Sequence, residues 1–242
     1  ELTFAGAGLT GMTLYYLMEN IALTYSQASN VGVIVSIAPV FTAITAHIFL
    51  KEEGKLRPAF FMGCVIALIG ISLISFSGTT MHLNPIGDLL SVGGAIIWSF
   101  YSVLSKKIGS FGYSVVQATR RTFFYGILFM IPALFIFDFK WDLIRFATPA
   151  YLFNIFYLGL GASAICFVTW NMAVRILGAI KTSVYIYLAP VVTAVTSVII
   201  LHEKITFLSG LGILLVVGGL LLSEQKKKFF SIRGRKQTEN VI

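Results

Sequence analysis

The seven residues Ile37-Ala-Pro-Val-Phe-Thr-Ala43 recur, with two substitutions, as Leu188-Ala-Pro-Val-Val-Thr-Ala194. At the same offset of 151 residues, Asn20-Ile-Ala22 matches Asn171-Met-Ala173. This agreement indicates an internal repeat, for which a shared low-complexity bias is the alternative explanation.

The match extends further along the chain. Leu50-Lys-Glu52 matches Leu201-His-Glu203, and after a gap of two residues Gly63 and Gly70 match Gly212 and Gly219. Residues 20–70 therefore have a counterpart in residues 171–219.

The composition places both copies in a membrane. Of the 242 residues, 57% are hydrophobic and 12% are charged, and the mean hydropathy is +0.88. Soluble domains carry about 25% charged residues. A soluble enzyme, a disordered protein, a coiled coil and a disulfide scaffold are thereby excluded, and a polytopic membrane protein remains.

Eight stretches are apolar enough to cross a bilayer as helices, which takes about 20 residues each. They lie at 3–25, 30–50, 58–77, 88–105, 117–137, 151–174, 180–201 and 206–223. The alternation typical of barrel strands is absent. The predicted fold is therefore all-α, with about eight transmembrane helices joined by short loops.

The order of the spans gives the repeat a direction. Asn20 lies on the first span and Asn171 on the sixth, so the two copies cross in opposite directions, as in the inverted repeats of secondary transporters. The second unit, 87–223, has five spans, whereas the first unit, 1–77, has three. Two further helices are expected before Glu1, which predicts a ten-helix bundle of two inverted five-helix repeats.

The basic residues indicate an orientation, because cytoplasmic loops are rich in Lys and Arg. Of the 18 Lys and Arg residues, 15 fall on one side, in three loops and in the basic tail 224–242; the exceptions are Lys140, Arg145 and Lys204. Both termini are therefore predicted to be cytoplasmic. The tail also carries most of the net charge of +8, which favours contact with anionic lipid and not with nucleic acid.

The repeated motifs resemble those of the drug/metabolite transporter (DMT) superfamily, EamA type. Units of that family end in an A-L-x-Y-x-x-A helix, a P-V-x-T-A … L-x-E helix and a Gly-punctuated helix. The matching residues of the first unit are Ala22-Leu23-Thr24-Tyr25, Pro39-Val40 and Leu50-Lys51-Glu52. Those of the second are Trp170-Asn171-Met172-Ala173, Pro190-Val191 and Leu201-His202-Glu203. The resemblance covers the chain except its basic tail, and the chain departs from the pattern in lacking the first two helices.

The resemblance implies a plasma-membrane carrier that exports small metabolites or drugs, coupled to the proton gradient or to substrate exchange. No cofactor or metal is expected, because His202-Glu203 lacks the second His that a zinc-protease helix would need at Thr206. The chain is predicted not to be an enzyme. The expected partners are membrane lipid and a small-molecule substrate, and a homodimer is left open.

Glu19 is the first candidate for the transport site. It is the one acid well inside a predicted span, where a charged side chain costs about 2.5–3.5 kcal/mol on insertion scales. At helical spacing it shares a face with Tyr15 and Tyr16, so it could take up and release a proton in a cavity. The alternative is a carboxylate that reaches the outer interface.

Aromatic side chains with one polar atom suit a carrier cavity, although core packing is the alternative for any single ring. The repeat-related amides Asn20 and Asn171 serve either as a polar clamp between helices or as substrate contacts. The predicted cavity set is Tyr15, Tyr16, Glu19, Asn20, Trp98, Tyr101, Trp170, Asn171, Tyr185 and Tyr187. Pro39 and Pro190 are predicted helix kinks.

Two rival hypotheses stay open. The first is a non-transporting fragment that needs a partner to supply the missing helices. The second is a membrane-embedded enzyme acting on lipid, which would need a nucleophile, a base or metal ligands clustered at one depth.

Overall fold

A computed structural model describes residues 1–50, 57–76, 84–137, 148–201 and 206–224. All the regular secondary structure of these residues is helical. The predicted loop bases Lys51, Lys55, Lys140, Arg145 and Lys204 lie outside the described residues, as do the last residue of the predicted first unit, Ser77, and the basic tail from residue 225 onward.

Eight helical segments follow one another along the described chain, and four of them are interrupted by an irregular stretch. Helix α1 consists of Leu2–Gly8, the π-helical stretch Leu9–Leu14 and Tyr15–Tyr25, and α2 consists of Ala28–Val35 and Ala38–Phe49. Next come α3 (Pro58–Ser75), α4 (Pro85–Gly109) and α5 (Val115–Ile136). Helix α6 consists of Pro149–Phe156, the π-helical stretch Tyr157–Ile165 and Cys166–Leu177. Helix α7 consists of Ala179–Val184, the 3₁₀ turn Tyr185–Tyr187 and Leu188–Leu201, and α8 is Phe207–Glu224.

Within the described residues, seven helices have the length and apolarity of membrane spans, which confirms the predicted class of an all-α polytopic membrane protein. The first predicted span, α1, is helical but is not one of the seven; it carries Glu19, Asn20 and four threonines. Helix α4 is longer than the predicted 88–105, because the Asn84 side chain accepts hydrogen bonds from the backbone N–H groups of Ile86 and Gly87 and starts the helix at Pro85.

Helices α3 and α8 pack backbone against backbone. A Cβ on Gly63 would lie 2.5 Å from the carbonyl oxygen of Gly219, and a Cβ on Gly70 would lie 2.6 Å from that of Gly212. Gly63, the first of the two glycines in α3, thus contacts Gly219, the second of the two in α8, so the two helices run antiparallel. Only glycine permits an approach this close.

This contact involves residues that correspond in the sequence repeat. Gly63 corresponds to Gly212 in the repeat, and Gly70 corresponds to Gly219. Exchanging the two copies therefore turns the contact of Gly63 with Gly219 into the contact of Gly212 with Gly70, and both contacts are present.

The remaining core packs on either side of this pair. Helices α2 and α7 pack against the α3–α8 pair through Ala43, Val184 and Tyr187, which form a buried cluster with Cys64 and Val216. Helix α1 lies against α4 and α5, where the Thr13 hydroxyl donates to the carbonyl oxygen of Gly126 (3.0 Å).

The two predicted kink prolines each follow an interruption of a span. In α2 the helix tightens at Ser36 and Ile37, where the N–H of Val40 bonds to the carbonyl of Ile37, and Pro39 occupies the next turn. In α7 the 3₁₀ turn precedes Pro190 in the same way. A proline loses no hydrogen bond in the first turn of a helix segment.

Gly219→Val is expected to destabilise the protein by about 1–3 kcal/mol, because the added side chain must push α3 away from α8. Gly218→Val is the matched control: it has the same chemistry on the same helix, but a Cβ there has nothing within 4 Å. Denaturation in detergent, followed by circular dichroism, measures the free energy of unfolding of both variants. Equal stabilities would contradict the glycine contact.

Candidate functional site

A cavity of about 690 Å³ lies between α1, α2, α3, α7 and α8. Its size falls in the range typical of small-molecule sites, about 300–1,000 Å³. Its described walls are formed by Glu19, Leu23, Ala28, Ser29, Val31, Gly32, Val35, Ser36, Ile74, Ser75, Ile186, Ala189, Pro190, Thr193, Ala194, Val198, Thr206 and Ser209. It lies at the end of the bundle where α1 and α3 finish and α8 begins, which we call the mouth end.

Glu19 is the one ionisable residue in these described walls. It is half-buried and lies six residues before the end of α1, roughly 9 Å along the helix axis. The Tyr15 hydroxyl, one turn earlier, donates a hydrogen bond to its Oε1 (3.1 Å). The structure therefore places the carboxylate on the cavity wall, inside the span.

The rest of the wall combines apolar side chains with hydroxyl groups. Ser36 donates to the carbonyl oxygen of Gly32 (2.7 Å), and Thr193 donates to that of Ala189 (3.0 Å). These bonds use the hydroxyl protons and leave the oxygens able to accept hydrogen bonds. The wall can therefore accept hydrogen bonds from a bound molecule along an apolar surface.

Formal charges are divided between the two ends of the described bundle. The mouth end carries Glu19 and Asp88, and Asp88 accepts a hydrogen bond from Ser26 at the end of α1 (3.1 Å). The opposite end, which we call the basic end, carries every described base: Arg57, Lys106, Lys107, Arg120, Arg121, Arg175 and Lys181. Asp88 and Lys106 are separated by roughly 27 Å along α4.

Most of the predicted aromatic residues pack together instead of lining this cavity. The Trp98 ring lies 4.8 Å from Tyr15, 5.1 Å from Tyr101 and 5.1 Å from Trp170, and Tyr16 packs on Phe167. The indole N–H groups of Trp98 and Trp170 are buried and have no hydrogen-bond partner in the described structure. The cluster joins α1, α4 and α6 through these ring contacts.

Asn171 is a half-buried residue that connects three helices by hydrogen bonds. Its Oδ1 accepts hydrogen bonds from Tyr101 (2.7 Å) and Ser105 (2.5 Å) of α4, and its Nδ2 donates to Thr119 of α5 (2.9 Å). Of the two roles considered for this amide, a polar clamp between helices or a substrate contact, these hydrogen bonds correspond to the clamp. We call these four residues the Asn171 clamp.

The other predicted residues lie apart from the cavity. Asn20 is exposed and bonds only to the carbonyl of Tyr16 in its own helix, beside an apolar groove against α5. Tyr187 is fully buried in the core, and Tyr185 is 40% exposed near Glu224 at the basic end. Glu19 is thus the one member of the predicted set among the described wall residues.

Sequence reasoning missed the small polar residues of the wall. Ser29, Gly32 and Ser36 are spaced three and four residues apart on α2, and Pro190, Thr193 and Ala194 have similar spacing on α7. Helical spacing of small residues was a usable signal. Among the described residues, there is no group of three His, Cys, Asp or Glu side chains that could hold a metal ion.

A sequence model of the EamA-like transporter family matches residues 2–76 and 85–224. An uncharacterized transporter of Archaeoglobus fulgidus is 27% identical, over 90% of this chain and 74% of its own length. The uncharacterized transporter YvbV of Bacillus subtilis is also 27% identical, over 92% and 71%. A probable terminal-alkyne amino-acid exporter of Streptantibioticus cattleyicolor is 26% identical, over 90% and 71%. One solved crystal structure, 22% identical, has the same fold, with a TM-score of 0.72 over 92% of this chain and 75% of that one.

Asn171→Leu is expected to lower the free energy of unfolding by about 1–3 kcal/mol, because it removes three interhelical hydrogen bonds and leaves buried hydroxyl groups without their partner. Asn20→Leu is the control, since this repeat counterpart is exposed and bonds only within its own helix; a change below about 0.5 kcal/mol is expected. Both are measured by denaturation in detergent. A larger loss for Asn20→Leu would show that the clamp is not the stabilising contact.

Proposed function

This chain belongs to the EamA-like transporter family, and from that premise we propose that it is a secondary-active carrier of small metabolites or drugs across the plasma membrane. The observation that carries the proposal is the 690 Å³ cavity, which has apolar and hydroxyl-bearing walls and one carboxylate. A membrane protein with a purely structural role has no need of such a space. The family match and the named relatives support transport as the general activity.

The carrier works by alternating access around this cavity. The mirrored glycine contacts of α3 and α8 support two inverted units, one in residues 1–77 and one in residues 87–223. An inverted pair can adopt two exchanging conformations, each open to one side of the membrane. In the present conformation the cavity lies at the mouth end, while the Asn171 clamp joins α4, α5 and α6 toward the basic end.

The distribution of bases supports an orientation with the basic end in the cytoplasm. The cavity then faces the outside, as in the state from which an exporter releases its substrate. The relative named as an exporter supports the same direction. Both termini lie in the cytoplasm in this arrangement.

Glu19 couples transport to the proton gradient. Its place on the cavity wall allows the carboxylate to exchange protons with whichever side the cavity faces. The Tyr15 hydroxyl holds the carboxylate in position. Exchange of one substrate for another remains the alternative form of coupling.

One observation favours a second candidate, a chain that transports only when further helices join it. Only 6% of the most apolar stretch of α6 is buried, and Phe153, Tyr157 and Leu160 are exposed. Its repeat counterpart, α1, packs against α4 and α5. By the symmetry of the repeat, α6 should pack against two helices that correspond to α4 and α5. Those two helices would be supplied by the same chain or by a second protein.

The metabolites that cells release, compared with and without the protein, test the carrier function. Expression of the chain is expected to raise the extracellular level of a small set of compounds. A variant that closes the cavity, Ala194→Phe, is expected to remove this increase. Identical profiles with and without the protein, at confirmed membrane expression, would overturn the proposal.

Glu19→Gln is expected to abolish flux driven by a pH gradient in proteoliposomes, because the amide cannot release a proton. Insertion and folding should persist, since Gln can still accept the Tyr15 hydrogen bond. Glu224→Gln, which removes a carboxylate at the opposite end, is the control and should retain gradient-driven flux. Flux in Glu19→Gln equal to that of the wild type would contradict proton coupling through this residue.

A further inference from the structure

We propose that the Glu19 cavity selects small organic cations, meaning compounds with one protonated amine on a compact apolar body. The inference rests on the proposed carrier function and adds the substrate class. It depends on three features of the described structure: an unbalanced carboxylate, walls that accept hydrogen bonds, and a mouth end whose described charges are both acidic.

The Glu19 carboxylate has no cationic partner among the described residues. The one ion pair between described side chains joins Arg121 to Glu1 at the basic end. The Tyr15 hydroxyl donates one hydrogen bond to Glu19 but carries no charge. An ionised group inside a span is costly unless it is paired. A bound cation supplies the charge that the described part of the chain does not.

The wall suits an ammonium group better than an anion. An ammonium group has three N–H donors and no acceptor, so it needs oxygen atoms around it. Glu19 and the hydroxyl oxygens of Ser36 and Thr193 provide acceptors, because both hydroxyl protons are directed at backbone carbonyls. A carboxylate or phosphate ligand would instead face Glu19 across the cavity, and two like charges repel at this depth.

The acidic side chains at the mouth end favour the approach of cations to the cavity. The described charges of the mouth end are the acids Glu19 and Asp88, whereas the described bases lie at the other end of the bundle. Walls of low dielectric constant focus such a field and raise the local concentration of the opposite charge. By their own charge, Glu19 and Asp88 therefore attract amines and repel anions.

The apolar part of the wall defines the rest of the substrate. Leu23, Val31 and Val35 line one part of the cavity, and Ile186 and Val198 line another. A volume of about 690 Å³ accommodates a compound with one ring or a short alkyl chain beside the amine. The preferred substrate class is thus a primary amine with an apolar body.

Three probes of equal shape and different charge test the inference: phenethylamine (cationic), 2-phenylethanol (neutral) and phenylacetate (anionic). Binding to the purified full chain in detergent is followed by isothermal calorimetry at neutral pH. Phenethylamine is expected to bind at least tenfold more tightly than either of the others. Glu19→Gln should remove that preference, while Glu224→Gln should keep it.

The possible results separate the inference from the carrier function. Equal binding of the three probes, no binding of phenethylamine, or a preference that survives in Glu19→Gln overturns the cation selectivity. Proteoliposomes of the same protein then report on the carrier: phenylacetate flux that Glu19→Gln leaves unchanged would overturn the inference and keep the carrier function. Phenethylamine uptake that only the wild type and Glu224→Gln perform would support both.

Discussion

The backbone contact of α3 with α8 is the constraint on which the rest of the described bundle depends. Water provides no hydrophobic driving force between helices in a bilayer, so close packing must hold them together. Four glycines allow that packing here, and they are arranged so that each copy of the repeat supplies two. Helices α2 and α7, which form two walls of the cavity, rest on this pair through one buried cluster. Because α2 and α7 are held by this packing on one side, their other faces can line a cavity without packing against each other.

The second organising feature is the placement of charge. A bilayer confines formal charge to its two surfaces unless function requires otherwise. In the described chain the bases lie together at one end, and Asp88 lies at the other. Glu19 differs from the other described charges because it lies on the wall of the cavity, six residues before the end of its helix. The energetic cost of that position is the reason for assigning it a role in transport.

Residues that correspond in the repeat have different environments. Asn171 connects three helices, whereas Asn20 is exposed and bonds only within its own helix. Glu19 lines the cavity, whereas its counterpart Trp170 packs among aromatic rings. In a carrier with two exchanging states, one end is closed while the other is open, so equivalent positions meet unlike neighbours at any moment. The substitution of Trp for Glu also shows that proton coupling would depend on one unit alone.

The sequence by itself determined the membrane class, the approximate limits of the spans and the correspondence between the glycines of α3 and α8, and it indicated Glu19 as a candidate site residue. Each of these follows from local composition or from the repeat, and none of them requires knowledge of which helices are in contact. The tertiary structure decided which side chains share the cavity. Tyr101 and Tyr187 were expected there and are buried in the core, whereas Ser36 and Thr193 were not expected and form the wall. The physical reason is that hydropathy defines a span but not the direction in which it faces. The π-helical stretches Leu9–Leu14 and Tyr157–Ile165 rotate the residues that follow them, so a regular helical spacing counted along α1 or α6 loses its register.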